Sequence, residues 1–319
     1  MAMVSVIVPN FNHAFYLKQR FDSIFNQTFK DFEVIILDDC STDTSKEIIE
    51  EYRNNPKVKK IIYNEENGGS PFKQWAKGFK LAQGEYIWIA ESDDWAEPVF
   101  LETMVSTLQK NPTALLAFSN SRWFSEKGTL KYSNVYQQDT FIDGKIFFNK
   151  KMITQNSICN ASCVLFKRNV LNEIPTQYQS FKGCGDWLFW IEFCLKGDVC
   201  YVCNVLNHFR QHEKSTTQRN NNSGNAYKEY FRIFRYLKEQ KKISFFRRHC
   251  MAVFFITFPK KNPDVVKKSP DIYKYICQEW RKEIWSPLIS RLFVDVIFVF
   301  WNIKKFFFSL LGKEIEDFF

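Results

Sequence analysis

Residues 84–98 read GEYIWIAESDDWAEP: an apolar run, Tyr86–Ala90, that ends abruptly against Glu91-Ser92-Asp93-Asp94. A short continuous apolar run without alternation is the pattern of a strand buried on both faces, as in a parallel sheet covered by helices. The pattern occurs twice more upstream. Val4–Val8 is closed by Pro9-Asn10, and Val34–Leu37 stops at Asp38-Asp39. Between these strands Leu17, Phe21, Ile24 and Phe25 share one helical face, and Ser41-Thr42-Asp43 offers N-cap chemistry to a helix using Ile48, Ile49 and Tyr52. Val58–Tyr63 reads as a third strand and Asn67-Gly68-Gly69-Ser70 as a turn. Phe72–Gln83 reads as a helix closed by Gly84. Strands alternating with helices predict an α/β doubly wound sheet, whose ligands bind beyond the carboxyl ends of the strands. Both acidic clusters fall at that edge.

The chain has 319 residues and is 45% hydrophobic, which supports a proper core and excludes disorder. Its net charge of +9 is unevenly spread: residues 1–110 carry 17 acidic against 12 basic groups, and 221–319 carry 19 basic against 10 acidic. The basic tail is dense in Phe, Trp, Ile and Leu, which matches an anionic membrane surface better than nucleic acid; solvated basic helices are the alternative. The run Leu292–Leu311 contains Asp295, Lys304 and Lys305, so its charge-free stretch is too short to span a bilayer. Nine scattered cysteines with a single CxxC, Cys200 and Cys203, make no zinc site and read as reduced thiols. The N-terminus enters a strand at once, with no basic leader, so a cytoplasmic protein is expected, peripheral on the inner face of the plasma membrane if the tail binds lipid. Three regions follow: a regular α/β segment at 1–110, a less regular one at 111–222, and a basic, mainly helical region at 223–319.

Carboxylates at the end of a buried strand are costly unless paired, hydrogen-bonded or bound to a cation. Glu91, Asp93 and Asp94 therefore suit Mn²⁺ or Mg²⁺, hard ions that bind through carboxylates and substrate phosphates. A helix N-cap at Asp94, before Trp95-Ala96-Glu97-Pro98, would explain that acid without a metal. Asp38-Asp39 and Asp186, before an aromatic helix, add further acids and favour a site. Paired strand-end acids also occur in phosphoacceptor receiver domains, which are much shorter than this chain.

The segments VSVIVPNFN (4–12), FEVIILDDCSTDTS (32–45), NEENGGSPFKQWAKGFKLAQGEYIWIAESDDWAEPVFLE (64–102) and GDWLFW (185–190) resemble, in order and spacing, the signature blocks of family 2 glycosyltransferases with the GT-A fold. The likeness covers about two thirds of the chain and extends to bacterial enzymes that build surface polysaccharides. It implies an inverting transferase acting on a nucleotide diphosphate sugar, with uridine as the base and a saccharide acceptor that is lipid-linked if the tail meets membrane. The resemblance would make 1–110 the donor-nucleotide half and 111–222 the acceptor half. Pro9, Asn10 and Phe11 match the segment that contacts the nucleotide. Asp39 matches the acid that reads the base edge, and Asp38 its supporting neighbour. Asn67 and Gly68 would line the donor pocket, and Asp93 and Asp94 match the acids that hold ribose and metal. Glu91 stands where Asp is commoner. Asp186 matches the catalytic base, although Gly185 replaces the first acid of the usual pair. FRQHEKST (209–216) is similar to the loop over the donor phosphates, which offers Arg210 and His212, and Asn156–Ser162 would border the acceptor pocket.

Two other functions compete. A sugar nucleotidyltransferase would want a Gly-rich basic loop after the first strand, which PNFNHAF does not supply. A non-catalytic saccharide-binding protein would stack sugars on Trp and Tyr without cleaving a donor.

Overall fold

The computed structural model describes residues 2–213, 215–261, 267 and 270–284. Strand β1 (Val4–Asn10) pairs in parallel with β2 (Phe32–Asp38) and with β4 (Tyr86–Ile89), and β2 carries β3 (Val58–Tyr63), also parallel. Helices α1 (Ala14–Phe25), α2 (Ser45–Glu51) and α3 (Pro71–Leu81) make the crossovers. Every residue of β1, β2 and β4 is buried, as their unbroken apolar character requires.

The two faces of β1 are covered by different helices. Val4, Val6 and Val8 join Phe21, Ile24 and Ile49 of α1 and α2 and Met104 of α4 (Phe100–Lys110) in one core layer. On the other face α3 rides directly on the strand: a Cβ at Gly78 would lie 2.5 Å from Ile7 Cγ2. Trp75 and Phe79 of α3 then meet Phe189 and Trp190 of α6 (Gly185–Cys194) in an aromatic layer. Each fully buried Val, Ile or Phe adds about 1.5–3 kcal/mol, so the doubly covered sheet is the main source of stability.

Beyond β4 the sheet turns antiparallel. β9 (Val164–Lys167) runs between β4 and β6 (Ala114–Ser125), antiparallel to both, and β10 (Asp198–Arg210) is parallel to β6. β5 (Trp95–Ala96) pairs with β10, while β7 (Gly128–Tyr132) and β8 (Thr140–Ile142) pair with β6 and β10, giving one ten-stranded sheet. A short helix α5 (Gly144–Phe147) follows β8. The halves expected at 1–110 and 111–222 thus share a single sheet, and the chain divides into compact units after Ser215.

The second unit opens with α7 (Thr216–Asn222), α8 (Asn225–Glu239), α9 (Phe245–Lys261) and α10 (Pro270–Arg281). Trp280 is its hub, with Phe231, Phe234 and Phe255 ring centroids 4.5–5.0 Å away. Within Phe245–Phe258, Met251, Ala252 and Phe255 are therefore buried, whereas Phe245 and Phe246 are exposed. The run Leu292–Leu311 lies outside the described residues. Among the described residues no helix is long and apolar enough to cross a membrane.

Two local expectations change. The helix expected over Phe72–Gln83 ends at Leu81, with extended Ala82 after it. Gly84 is small because it abuts β1, where a Cβ would meet Ser5 N at 2.6 Å. Trp95-Ala96 is a strand, and α4 begins only at Phe100, so Asp94 caps no helix.

Candidate active site

Asn10 ends β1 and Asp38 ends β2 in register, and the Asn10 Nδ2 donates to Asp38 Oδ2 at 2.7 Å. Asp38 also accepts from Ser41 N (2.9 Å) and Ser41 Oγ (2.6 Å), which ties down the turn after β2. The next acid, Asp39, turns towards the segment after β3. Its Oδ1 accepts from Asn64 Nδ2 at 2.7 Å, Gly68 N at 2.9 Å and Gln74 Nε2 at 2.6 Å. Asn67 donates to the Asp39 carbonyl at 3.0 Å, and a Cβ on Gly68 would sit 3.3 Å from Asp39 Oδ1, so glycine lets the loop close on the carboxylate. Pro9 is buried inside β1 and Phe11 is half-buried just past its end. Asn12 and Cys40, which follow the two strands, both adopt positive φ (55° and 64°). Asn tolerates that region and Cys does not, a cost of roughly 1–2 kcal/mol held in place by the Asn12 Oδ1 bond to Thr42 N at 2.7 Å.

The end of β4 is built differently. Arg20, fully buried, donates to the Glu91 carbonyl (2.8 Å) and to Ser162 Oγ (2.9 Å), beneath a turn carrying three carboxyls. Burial and the charge of Asp93 push Glu91 up to about 8, although Trp75 Nε1 donates to it at 2.8 Å. Burial and Asp93 also raise Asp94, whose Oδ1 accepts from Arg210 N at 2.9 Å and whose Oδ2 accepts from Asn160 Nδ2. Burial opposes ionisation of Asp93 as well, but the His212 hydrogen bond and the nearby His13 hold it below the usual carboxylate range. Of the three, Asp93 carries the charge most readily.

Strand pairing explains how Arg210 and His212 arrive there. β5 and β10 are antiparallel with His208 opposite Trp95, and continuing that register sets Arg210 opposite Asp93. The Arg210 Nε donates to the Asp93 carbonyl at 2.8 Å, and His212 Nε2 lies 3.0 Å from Asp93 Oδ2. The ligand atoms of His13, Asp93 and His212 all lie within 4.8 Å of one another, whereas Glu91 and Asp94 are outside that group. A carboxylate with two imidazoles suits a divalent metal. A cleft of ≈ 440 Å³ opens beside it, lined by His13, Tyr16, Asp43 and His212 among others.

Asp186 occupies the first turn of α6 and its Oδ2 accepts from Asn156 Nδ2 at 2.8 Å. Two contacts bind this corner to the start of α3: Ser70 Oγ donates to the Phe181 carbonyl at 2.6 Å, and Phe72 packs under Gly185. A Cβ at position 185 would meet the Tyr178 carbonyl at 2.5 Å and the Phe72 ring at 2.6 Å. No acid fits there, so only the second position of the pair carries a carboxylate.

Sequence reasoning missed Arg20, His13 and Asn207, the partner of Asn160. Arg20 left a trace: it lies in the Leu17, Phe21, Ile24 stripe, where a charge must find internal partners. Asn207 of β10 bonds Asn160, in the turn before β9, at 3.1 Å only because the fold brings distant segments together, which no local pattern announces.

Residues 5–175, more than half of the chain, match the family model for glycosyl transferase family 2. Similar proteins include a putative glycosyltransferase EpsH of Bacillus subtilis, 30% identical over 68% of this chain and 63% of that one. The chain thus spans somewhat under two thirds of the EpsH length. A poly(ribitol-phosphate) beta-N-acetylglucosaminyltransferase TarP of Staphylococcus aureus is 28% identical over 71% of this chain and 69% of its own. Among solved structures, S. aureus TarS 1-349 in complex with UDP-GlcNAc superposes with a TM-score of 0.63 at 18% identity, covering 88% of this chain and 83% of that one. That likeness shows the fold, the GT-A α/β arrangement. The chain belongs to glycosyl transferase family 2.

Proposed function

We propose that this protein transfers a sugar from a uridine diphosphate sugar to a hydroxyl of a saccharide acceptor, inverting the anomeric centre. The observation that carries the reading is the meeting, at one edge of the sheet, of a hydrogen-bonded acid at the end of β2 with the Asp93 cluster at the end of β4. Asp39, held by Asn64, Gly68 and Gln74, reads the base edge; Asp38 and Asn10 keep its loop in place; Phe11 lies along the base. Asn67 and Gly68 wall the donor pocket. Asp93 holds the ribose and diphosphate region, with Arg210 bracing its backbone and His212 its carboxylate. A divalent ion, Mn²⁺ or Mg²⁺, would neutralise charge on the departing diphosphate. The sequence pattern places Asp94 and Glu91 as ligands beside Asp93; their bonds to Arg210, Asn160 and Trp75 suit them to shaping the turn.

Asp186 acts as the base. It takes the proton of the acceptor hydroxyl while that oxygen forms its bond to the anomeric carbon, and the bond from that carbon to the diphosphate breaks. A general base contributes typically 10²–10⁴ in rate. Asp186→Asn keeps the hydrogen bond with Asn156 sterically possible and should lower transfer by about that factor with donor affinity unchanged. Near-native transfer by the variant would sink the assignment. UDP release from a panel of UDP-sugars, beginning with UDP-GlcNAc as the relatives suggest, separates an enzyme from a saccharide-binding protein.

The exposed Phe245 and Phe246 stand beside Arg247 and Arg248, a composition that suits an anionic bilayer and so a lipid-linked saccharide acceptor in surface polysaccharide synthesis. Such a protein would work on the inner face of the plasma membrane.

A further inference from the structure

We propose that His13 is a metal ligand, completing with Asp93 and His212 a site of two nitrogens and one carboxylate that selects Mn²⁺ over Mg²⁺. The inference rests on the reading of a metal-assisted donor site and adds to it a residue that lies far from the acidic turn in sequence. An ion bound at about 2.1–2.2 Å holds neighbouring donors about 3 Å apart and opposite ones about 4.3 Å apart. His212 Nε2 and Asp93 Oδ2 are already 3.0 Å apart, and all three ligand atoms fall within 4.8 Å, a spread close to the separation of opposite donors around one ion.

The second coordination sphere is also present. A metal-bound imidazole almost always uses its other nitrogen in a hydrogen bond that fixes the tautomer and the ring. His13 Nδ1 lies 2.8 Å from Ser92 Oγ, and Ser92 is buried between Glu91 and Asp93. Nε2 is then the nitrogen that would face the ion. The ring is further positioned by edge contacts with His212 (5.6 Å) and Tyr16 (5.9 Å). Its place just before α1, where Ala14 N donates to Asp43 Oδ2 at 2.9 Å, anchors the backbone that carries it.

Charge and access agree. One carboxylate and two neutral imidazoles leave a divalent ion with net positive charge, to be matched by a nucleoside diphosphate. His13 and His212 both line the ≈ 440 Å³ cleft, so such a ligand has a route to the ion. Imidazole donors favour Mn²⁺ over Mg²⁺, which prefers oxygen and keeps its waters.

The test is pulsed electron paramagnetic resonance on the full chain with Mn²⁺ and UDP, which counts directly bound ¹⁴N. The expected result is two histidine nitrogens in the unsubstituted protein and one in His13→Asn, with Mn²⁺ affinity falling about 10- to 100-fold and the preference over Mg²⁺ narrowing. Asn can keep the bond to Ser92 while removing Nε2, so a merely structural role for His13 would leave both readouts unmoved. Mn²⁺ bound with one nitrogen or none in the unsubstituted protein overturns the inference alone. No Mn²⁺ bound at all overturns the metal reading with it. Because the nitrogen count is made on the unsubstituted chain, the outcome stands even if the variant fails to fold.

Discussion

At the end of β2, Asp39 takes three hydrogen bonds from neutral donors on one carboxylate oxygen, and Asp38 takes three from Asn10 and Ser41. At the end of β4, three carboxyls lie near the buried guanidinium of Arg20, which bonds the Glu91 carbonyl rather than a carboxylate, and burial pushes Glu91 up to about 8. The same residue type serves two purposes. The β2 acids are satisfied by the protein itself and fix the turns that follow β2 and β3. Glu91 and Asp94 are under-compensated, which costs stability without a cation and becomes an advantage with one, while Asp93 is held ionised by His212 and His13.

Several substitutions can break that contrast. The largest effect is expected for Arg20→Met, which leaves the β4 carboxyls without their internal cation. Its hydrogen bonds to the Glu91 carbonyl and Ser162 Oγ are charge-assisted, worth roughly 1.5–3 kcal/mol each, and their loss is read by chemical denaturation. Mn²⁺ with UDP should restore part of this loss, and a variant as stable as the parent would refute the under-compensated picture. Asp39→Ala should cost less, roughly 1–3 kcal/mol, since it strands neutral donors. Its UDP affinity should fall equally with and without Mn²⁺, because the β2 end works through hydrogen bonds. The smallest effect is at the second unit: Phe245→Ser with Phe246→Ser should change stability by under about 0.5 kcal/mol, both rings being exposed. The pair should nevertheless weaken flotation with anionic liposomes, and unchanged flotation would remove those rings from any membrane contact.

The parallel half of the fold was legible because β1, β2 and β4 are buried on both faces and so read as unbroken apolar runs that stop at polar residues. Asp38, Asp39 and the β4 acids were legible for the same reason. The mixed half was less so. β5 is two residues long and exists because β10 supplies a partner, a tertiary fact that overrode the helical look of Trp95–Pro98. The motif singles out Arg210 and His212 as candidates, but their reach to Asp93 depends on that register. The clustering of His13 with Asp93 and His212 was invisible because its neighbours Ser92 and His212 are 79 and 199 positions away in sequence, and only folding brings them together.

The central claim, a nucleotide diphosphate held between a self-satisfied acid and a cation-seeking cluster, is tested most directly by calorimetry of UDP binding to the full chain with and without Mn²⁺. The account predicts binding that strengthens sharply with Mn²⁺ and loses that enhancement in Asp93→Asn. UDP binding that is indifferent to Mn²⁺, or that keeps its Mn²⁺ enhancement in the variant, would contradict it.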